Sequence, residues 1–152
     1  MKRLILASLL SFAAVSTAFA QVVVKHPWVR ATVPAQTATG AFMQINAATG
    51  ARLVEVRSPV ARVVEIHEMA MAGNVMKMRA IPGLDLPAGK AVELKPGGYH
   101  VMLMDLKGQV KEGDTVLLTL IVESKNGKRE TVEVKAVARA LSGAMGNEHH
   151  HQ

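Results

Sequence analysis

The chain of 152 residues contains no cysteine. It therefore forms no disulfide, and its composition excludes thiol chemistry, zinc-ribbon sites and the His/His/Cys site of blue copper proteins. Aromatic residues are also scarce, with one Trp, one Tyr and three Phe in a chain of net charge +6. Because single-stranded nucleic acids are bound largely by stacking bases on aromatic side chains, and the basic residues here are dispersed, this composition does not favour a nucleic-acid-binding protein.

The first twenty residues, MKRLILASLLSFAAVSTAFA, have the pattern of a secretory signal peptide. Lys2 and Arg3 form a basic start, an apolar run follows, and residues 18–20 (Ala-Phe-Ala) fit the small-x-small rule for cleavage. The apolar run is too short to span a bilayer. We therefore expect residues 1–20 to direct export to the periplasm, leaving a processed chain without a membrane span and of the size of one domain.

Hydrophobic residues alternate with polar ones along much of the remaining sequence, which is typical of half-buried strands. Asn126-Gly127 between two such runs predicts a hairpin with a type I′ turn, and Thr39-Gly40 is one of several further turn signals. Many short strands at this spacing predict an all-β sandwich or Greek-key barrel over residues 21–140, followed by a flexible tail over residues 141–152. The predicted strands are 22–25, 28–31, 41–46, 52–57, 61–71, 75–81, 91–94, 100–106, 115–123 and 130–138.

The segment HEMAMAGNVMKM, residues 67–78, holds four of the nine methionines beside a histidine. Gly73-Asn74 suits the centre of a tight hairpin, which would place Met69 opposite Met78. Because side chains alternate along a strand, His67 would share one face with all four methionines and lie diagonal to Met78.

A second cluster follows in the segment GGYHVMLMDL. His100, Met102 and Met104 are spaced two residues apart and so share one strand face. The preceding turn, residues 96–98 (Pro-Gly-Gly), predicts that His100 lies at a strand end, close to solvent. Each of these residues alone is more often structural, since methionine commonly fills cores. Together, however, the two segments offer two imidazoles and two thioethers in the arrangement H-x10-M-x21-H-x-M.

This arrangement resembles the signature of the PCuAC family of periplasmic copper(I) chaperones and matches it without gaps. The segments WVRATVPAQTATGAFMQI, VEIHEMAMAGNVMKMR and LKPGGYHVMLMDL also resemble family segments. The resemblance implies a cupredoxin-like Greek-key β-barrel that delivers copper to the CuA centre of cytochrome c oxidase subunit II, with Sco-type copper proteins as further partners. It implies that the Cu(I) ligands are His67, Met78, His100 and Met102.

The chemistry of these ligands agrees with the resemblance. Cu(I) is soft and has a filled d shell, so neutral thioether and imidazole donors suit it better than they suit Zn(II) or Cu(II). The remaining methionines of the two segments are expected to pack around the site, although one of them could instead be a transient ligand during copper transfer. These are Met69, Met71, Met76 and Met104.

The tail sequence contains Glu148 and three consecutive histidines, a composition that binds divalent metals. It resembles the His- and Met-containing extension of some family members, which implies a secondary Cu(II) site. The alternative is an ordinary solvated chain end. Candidate ligands of this secondary site are Met145, His149, His150 and His151.

Three other classes of protein are alternatives to a copper chaperone. An enzyme would need a positioned acid or base, and of the carboxylates beside the ligands, Glu65, Glu68 and Asp105, the last two should face away. We therefore expect a monomeric carrier rather than an enzyme. An electron-transfer cupredoxin-like protein is disfavoured because the chain has no cysteine. A structural periplasmic module that binds no metal is the remaining alternative.

Overall fold

The computed structural model describes residues 21–141, which consist of strands and their connections, without a helix. The prediction of an all-β fold is therefore confirmed, and within this range there is also no helical segment that could cross a bilayer. The predicted signal peptide and most of the predicted tail lie outside these residues. The strands are β1 (Val22–Arg30), β2 (Ala38–Ala47), β3 (Ala51–Arg57), β4 (Ala61–Ala72), β5 (Val75–Ile81), β6 (Leu84–Leu86), β7 (Ala91–Leu94), β8 (His100–Leu106), β9 (Thr115–Ser124) and β10 (Arg129–Arg139).

Hydrogen bonds join the strands in the order β5-β4-β8-β2-β1-β10-β9-β3-β6, and β7 pairs with the second half of β2. All strand pairs are antiparallel except β1 with β10. β3 and β4 follow each other along the chain but lie far apart in this order. Residues from both halves of the sheet nevertheless pack into one core, so the sheet folds over on itself.

The core follows from the alternating pattern of the strands. In β9, Val116, Leu118, Leu120 and Val122 point inwards and are almost fully buried, while the residues between them are mostly more exposed. Ile45, Leu53, Leu94 and Leu103 complete the centre. Each such aliphatic side chain contributes roughly 1.5–3 kcal/mol on burial, which allows a domain of this size to fold without disulfides.

The amino-terminal strand differs from the prediction. Residues 22–25 and 28–31 were expected to form two strands, but β1 is continuous, with a shift of register against β2 between Lys25 and Trp28. His26 has a positive φ of 51° at this bulge. Pro27 has no N–H to donate to a strand partner, and a bulge accommodates it without ending the strand.

The expected turn at Thr39-Gly40 is also wrong, because both residues lie within β2. Thr39 Oγ1 donates a hydrogen bond to the Arg30 carbonyl at 2.6 Å. A Cβ atom at position 40 would lie 2.8 Å from Cζ of Phe42. Glycine is therefore present here to leave room for the Phe42 ring, and not to reverse the chain.

The Asn126-Gly127 hairpin exists, but its turn is not type I′. Such a turn requires positive φ at both central residues, whereas Gly127 has φ 81° and Asn126 is not among the positive-φ residues. The Gly127 N–H donates to the Ser124 carbonyl at 2.9 Å. The Asn126 side chain instead accepts a hydrogen bond from the Lys128 N–H at 3.0 Å, which fixes the longer loop.

Candidate metal centre

The β4–β5 hairpin has the predicted register. Ala72 pairs with Val75 and Met69 pairs with Met78 across a two-residue turn. Gly73 has φ 65° and Asn74 has no positive φ, a combination that belongs to a type II′ turn. The direct partner of His67 is Ala80. Met78 is therefore the diagonal neighbour of His67, as the spacing predicted.

The β8 strand brings the second histidine to the first. His100 is the first residue of β8 and pairs directly with His67 on β4. The two ring centroids are 5.5 Å apart. The prediction that His100 lies at a strand end is confirmed, but the prediction that it is close to solvent is wrong, since only 6% of its surface is exposed. The Phe42 ring, 6.4 Å away between centroids, is one of its aromatic neighbours.

Hydrogen bonds leave one free nitrogen on each imidazole. His100 Nδ1 lies 3.0 Å from the Gly98 carbonyl, which can only accept, so Nδ1 carries the proton. His67 Nε2 lies 2.8 Å from a carboxylate oxygen of Glu65, which assigns the proton to Nε2. The remaining atoms, His67 Nδ1 and His100 Nε2, are buried and have no hydrogen-bond partner within residues 21–141. A buried, unpartnered lone pair is unfavourable, and a metal ion would satisfy both.

Two thioether side chains line a cleft together with His100. Met78 and Met102 line a cleft of about 360 Å³ together with His100, Met69 and Phe42. Met102 pairs with Gly40 on β2 and with Glu65 on β4. It therefore lies two residues along β8 from His100, on the same face of the strand. The structure therefore brings the four predicted ligands to the meeting point of β4, β5 and β8. His67 borders the cleft through its contact with His100.

The other methionines occupy different places. Met69 lines the cleft. Met71 and Met76 pair with each other towards the hairpin turn, and their exposed fractions are 62% and 49%. Met104 lies two residues beyond Met102 along β8, opposite Ala38 on β2. Among these four, Met69 is thus the one that the structure places at the candidate ligands.

Carboxylates near the site divide as predicted. Glu68 forms an ion pair of 2.6 Å with Arg79, and Asp105 forms an exposed one of 3.2 Å with Arg62. Glu65 instead lies on the ligand face and holds His67. The role of Glu65 was not predicted from the sequence, although its position two residues before His67 places it on the same strand face.

The aromatic side of the cleft was also not predicted from the sequence. Trp28 packs against Phe42 with ring centroids 4.5 Å apart, and the Arg139 guanidinium lies 5.7 Å from the Trp28 ring centroid. Arg30 also lines the cleft. These residues come from β1, β2 and β10, whose association with β8 depends on the strand order of the whole sheet.

Predicted ligands of the secondary Cu(II) site, Met145 and His149 to His151, lie outside the described residues.

The protein is thus an all-β domain with a cleft lined by histidine and methionine side chains. Comparison with known proteins identifies the family to which this domain belongs. A family model described as "Putative lipoprotein LpqE-like" matches residues 22–137. The "Putative lipoprotein Lxx21020" of Leifsonia xyli is 30% identical over 124 residues, covering 81% of this chain and 75% of the relative. The chain belongs to the LpqE-like family, which is the PCuAC family.

Solved structures agree in fold. The copper-bound PCuAC domain from PmoF2 matches with a TM-score of 0.63 and 28% identity, over 81% of this chain and 96% of that domain. The solution structure of CuI-DR1885 from Deinococcus radiodurans matches with a TM-score of 0.62 and 30% identity, over 85% of each chain. The fold of the protein is therefore the cupredoxin-like β fold of these domains.

Proposed function

We propose that the protein is an exported copper chaperone that binds one Cu(I) ion through His67, Met78, His100 and Met102. The observation that carries the proposal is the pair of buried nitrogens, His67 Nδ1 and His100 Nε2, which lack a hydrogen-bond partner in the described part of the chain, together with two thioethers in the cleft that His100 lines. Two similar proteins of known structure, the copper-bound PCuAC domain from PmoF2 and CuI-DR1885, support the same metal.

The donor set favours Cu(I) over the common divalent ions. Four neutral donors leave the bound ion as a monocation, whereas Zn(II) and Cu(II) gain more from anionic or harder ligands. The Glu65 oxygen that holds His67 Nε2 is already engaged, and this contact leaves His67 Nδ1 as the nitrogen available to a metal ion. The apolar walls formed by Phe42 and Met69 keep part of the site away from water.

The placement of the ligands suits a carrier that must also release its ion. His100 is buried, but the Met78 side chain is 53% exposed on the β4–β5 hairpin. A recipient protein can therefore approach from the hairpin side and exchange one of its own ligands for the Met78 thioether. Such stepwise exchange transfers copper without setting the ion free in solution, and it requires no acid or base from the protein.

The intended recipient is the CuA centre of cytochrome c oxidase subunit II, with Sco-type copper proteins as co-workers. This part rests on family membership, and a periplasmic location rests on the signal-peptide pattern of residues 1–20 together with the lipoprotein names in the family. Residues 21–140 would form the copper-binding domain. The tail, residues 141–152, would supply a second, Cu(II)-binding site through its histidines and Met145.

An anaerobic Cu(I) titration against a competing chromophoric chelator, followed by a visible spectrum, tests the function. Tight one-to-one colourless binding supports the chaperone. Reversible one-electron oxidation of the bound copper, with the ion retained, would indicate an electron-transfer protein instead, and absence of binding would indicate a structural module. Copper transfer from the loaded protein to an apo-CuA domain then tests the recipient.

A further inference from the structure

The outer half of the β4–β5 hairpin extends beyond the sheet as a two-stranded ribbon. β8 pairs with β4 only as far as His67, whereas β5 pairs with β4 as far as the turn, from Ile66 to Ala72. β5 stands at the end of the strand order. The segments beyond His67 therefore have no third strand to pack against on either side within the described part of the chain.

One face of this ribbon carries only thioethers. Met71 pairs with Met76, and Met69 pairs with Met78, so all four side chains lie on the same side as His67. In a two-residue hairpin the pair that closes the turn is hydrogen-bonded, which puts both methionine pairs at non-hydrogen-bonded positions. There the Cα atoms are about 4.5 Å apart and the side chains are closest.

Core packing does not explain this face. Met71 and Met76 are 62% and 49% exposed, and an exposed strand normally carries polar or β-branched residues. The charged residues of the ribbon, Glu68, Lys77 and Arg79, alternate to its other face, where Glu68 and Arg79 form an ion pair. The methionine face thus offers uncharged soft donors with no cation on the same side of these strands.

We propose that Met71 and Met76, with Met69 as third donor, form a second Cu(I) site made only of thioethers. Met71 and Met76 approach each other directly, and Met69 is the diagonal neighbour of Met76, within reach of a long side chain. Thioethers suit Cu(I) and other soft monovalent ions and bind hard divalent ions poorly. Without an imidazole, and with more water access, this outer site binds more weakly than the histidine site.

The outer site also has a functional position. Met69 lines the inner cleft as well as facing the outer pair. A Cu(I) ion taken up at the exposed end of the hairpin would therefore pass from Met71 and Met76 to Met69 and Met78, and then to the histidines, by exchanging one thioether at a time. No change of oxidation state and no proton transfer is involved.

The test uses the processed chain, residues 21–152, with ¹³C-labelled methionine methyl groups and Ag(I) as a soft monovalent probe that is stable in air. We expect the first equivalent to shift the methyl resonances of Met78 and Met102, and a further equivalent to shift those of Met71 and Met76. The double variant Met71→Leu/Met76→Leu should bind one equivalent less than the parent. The control Met43→Leu, a buried core position, should keep the parent stoichiometry.

The resonances separate the two proposals. If Met71 and Met76 do not shift through several equivalents of Ag(I), or if the double leucine variant keeps the parent stoichiometry, the outer site does not exist, whatever the inner site does. If they shift while Met78 and Met102 do not, the outer site stands and the proposed chaperone site fails. Since leucine is similar in size and the positions are exposed, the double variant should unfold at the parent temperature.

Discussion

Replacing Glu65 with alanine should weaken Cu(I) binding although Glu65 is not a ligand. Its carboxylate lies 2.8 Å from His67 Nε2 and thereby leaves Nδ1 as the nitrogen available to bind the ion. Loss of a carboxylate that orients a metal-binding histidine costs about 10- to 100-fold in affinity. The Glu65 side chain is 42% exposed, so water replaces part of the lost interaction. We therefore expect a loss of about tenfold, or roughly 1.4 kcal/mol.

The assay is the anaerobic Cu(I) titration against a chromophoric chelator, with Glu68→Ala as the matched control. Glu68 is a glutamate on the same strand, next to His67 in sequence, but it faces away and pairs with Arg79. Nitrogen NMR of the apoprotein should place the His67 proton on Nε2 in the parent and show a mixture of tautomers in Glu65→Ala. Equal Cu(I) affinity of Glu65→Ala and Glu68→Ala, or a parent His67 protonated on Nδ1, would refute the reasoning.

Three further predictions address the ligands, the tail and the cleft wall. Met78→Ala or Met102→Ala should lower Cu(I) affinity in the same titration without changing the circular dichroism spectrum, because each removes one thioether; parent-like binding by both would show that the ligands are wrong. Truncation after Leu141 should abolish Cu(II) binding measured by calorimetry and spare Cu(I) binding, and unchanged Cu(II) stoichiometry would remove the tail site. Gly40→Ala should destabilise the domain by about 1–3 kcal/mol, since its Cβ would meet Phe42 at 2.8 Å. Thermal denaturation measures this loss against Gly108→Ala, where nothing lies within 4 Å of the added Cβ.

Local pattern was sufficient to predict most strands and the register of the β4–β5 hairpin. A period of two and a two-residue turn determine which residues oppose each other, so the pairing of Met69 with Met78 followed from the chain itself. β6 was missed because Leu84 to Leu86 is too short to show a period, and its pairing with β3 is what makes it a strand.

Features that depend on distant contacts could not be predicted in this way. His100 is buried next to the Phe42 ring, which comes from β2. The prediction of a turn at Gly40 was wrong because a glycine is needed there to leave room for that same ring. The role of Glu65 needed the actual side-chain geometry, although its face was readable from the spacing. The metal-binding assignment itself depended on the family signature, because each histidine and methionine alone fits a structural role.

Copper K-edge X-ray absorption of the processed chain, loaded anaerobically with one equivalent of Cu(I), tests the central claim most directly. If His67, Met78, His100 and Met102 hold the ion, the edge has the shape of Cu(I) and the extended fine structure contains two sulfur and two nitrogen scatterers. A first shell of nitrogen and oxygen alone would contradict the assignment, because it would leave both thioethers outside the site.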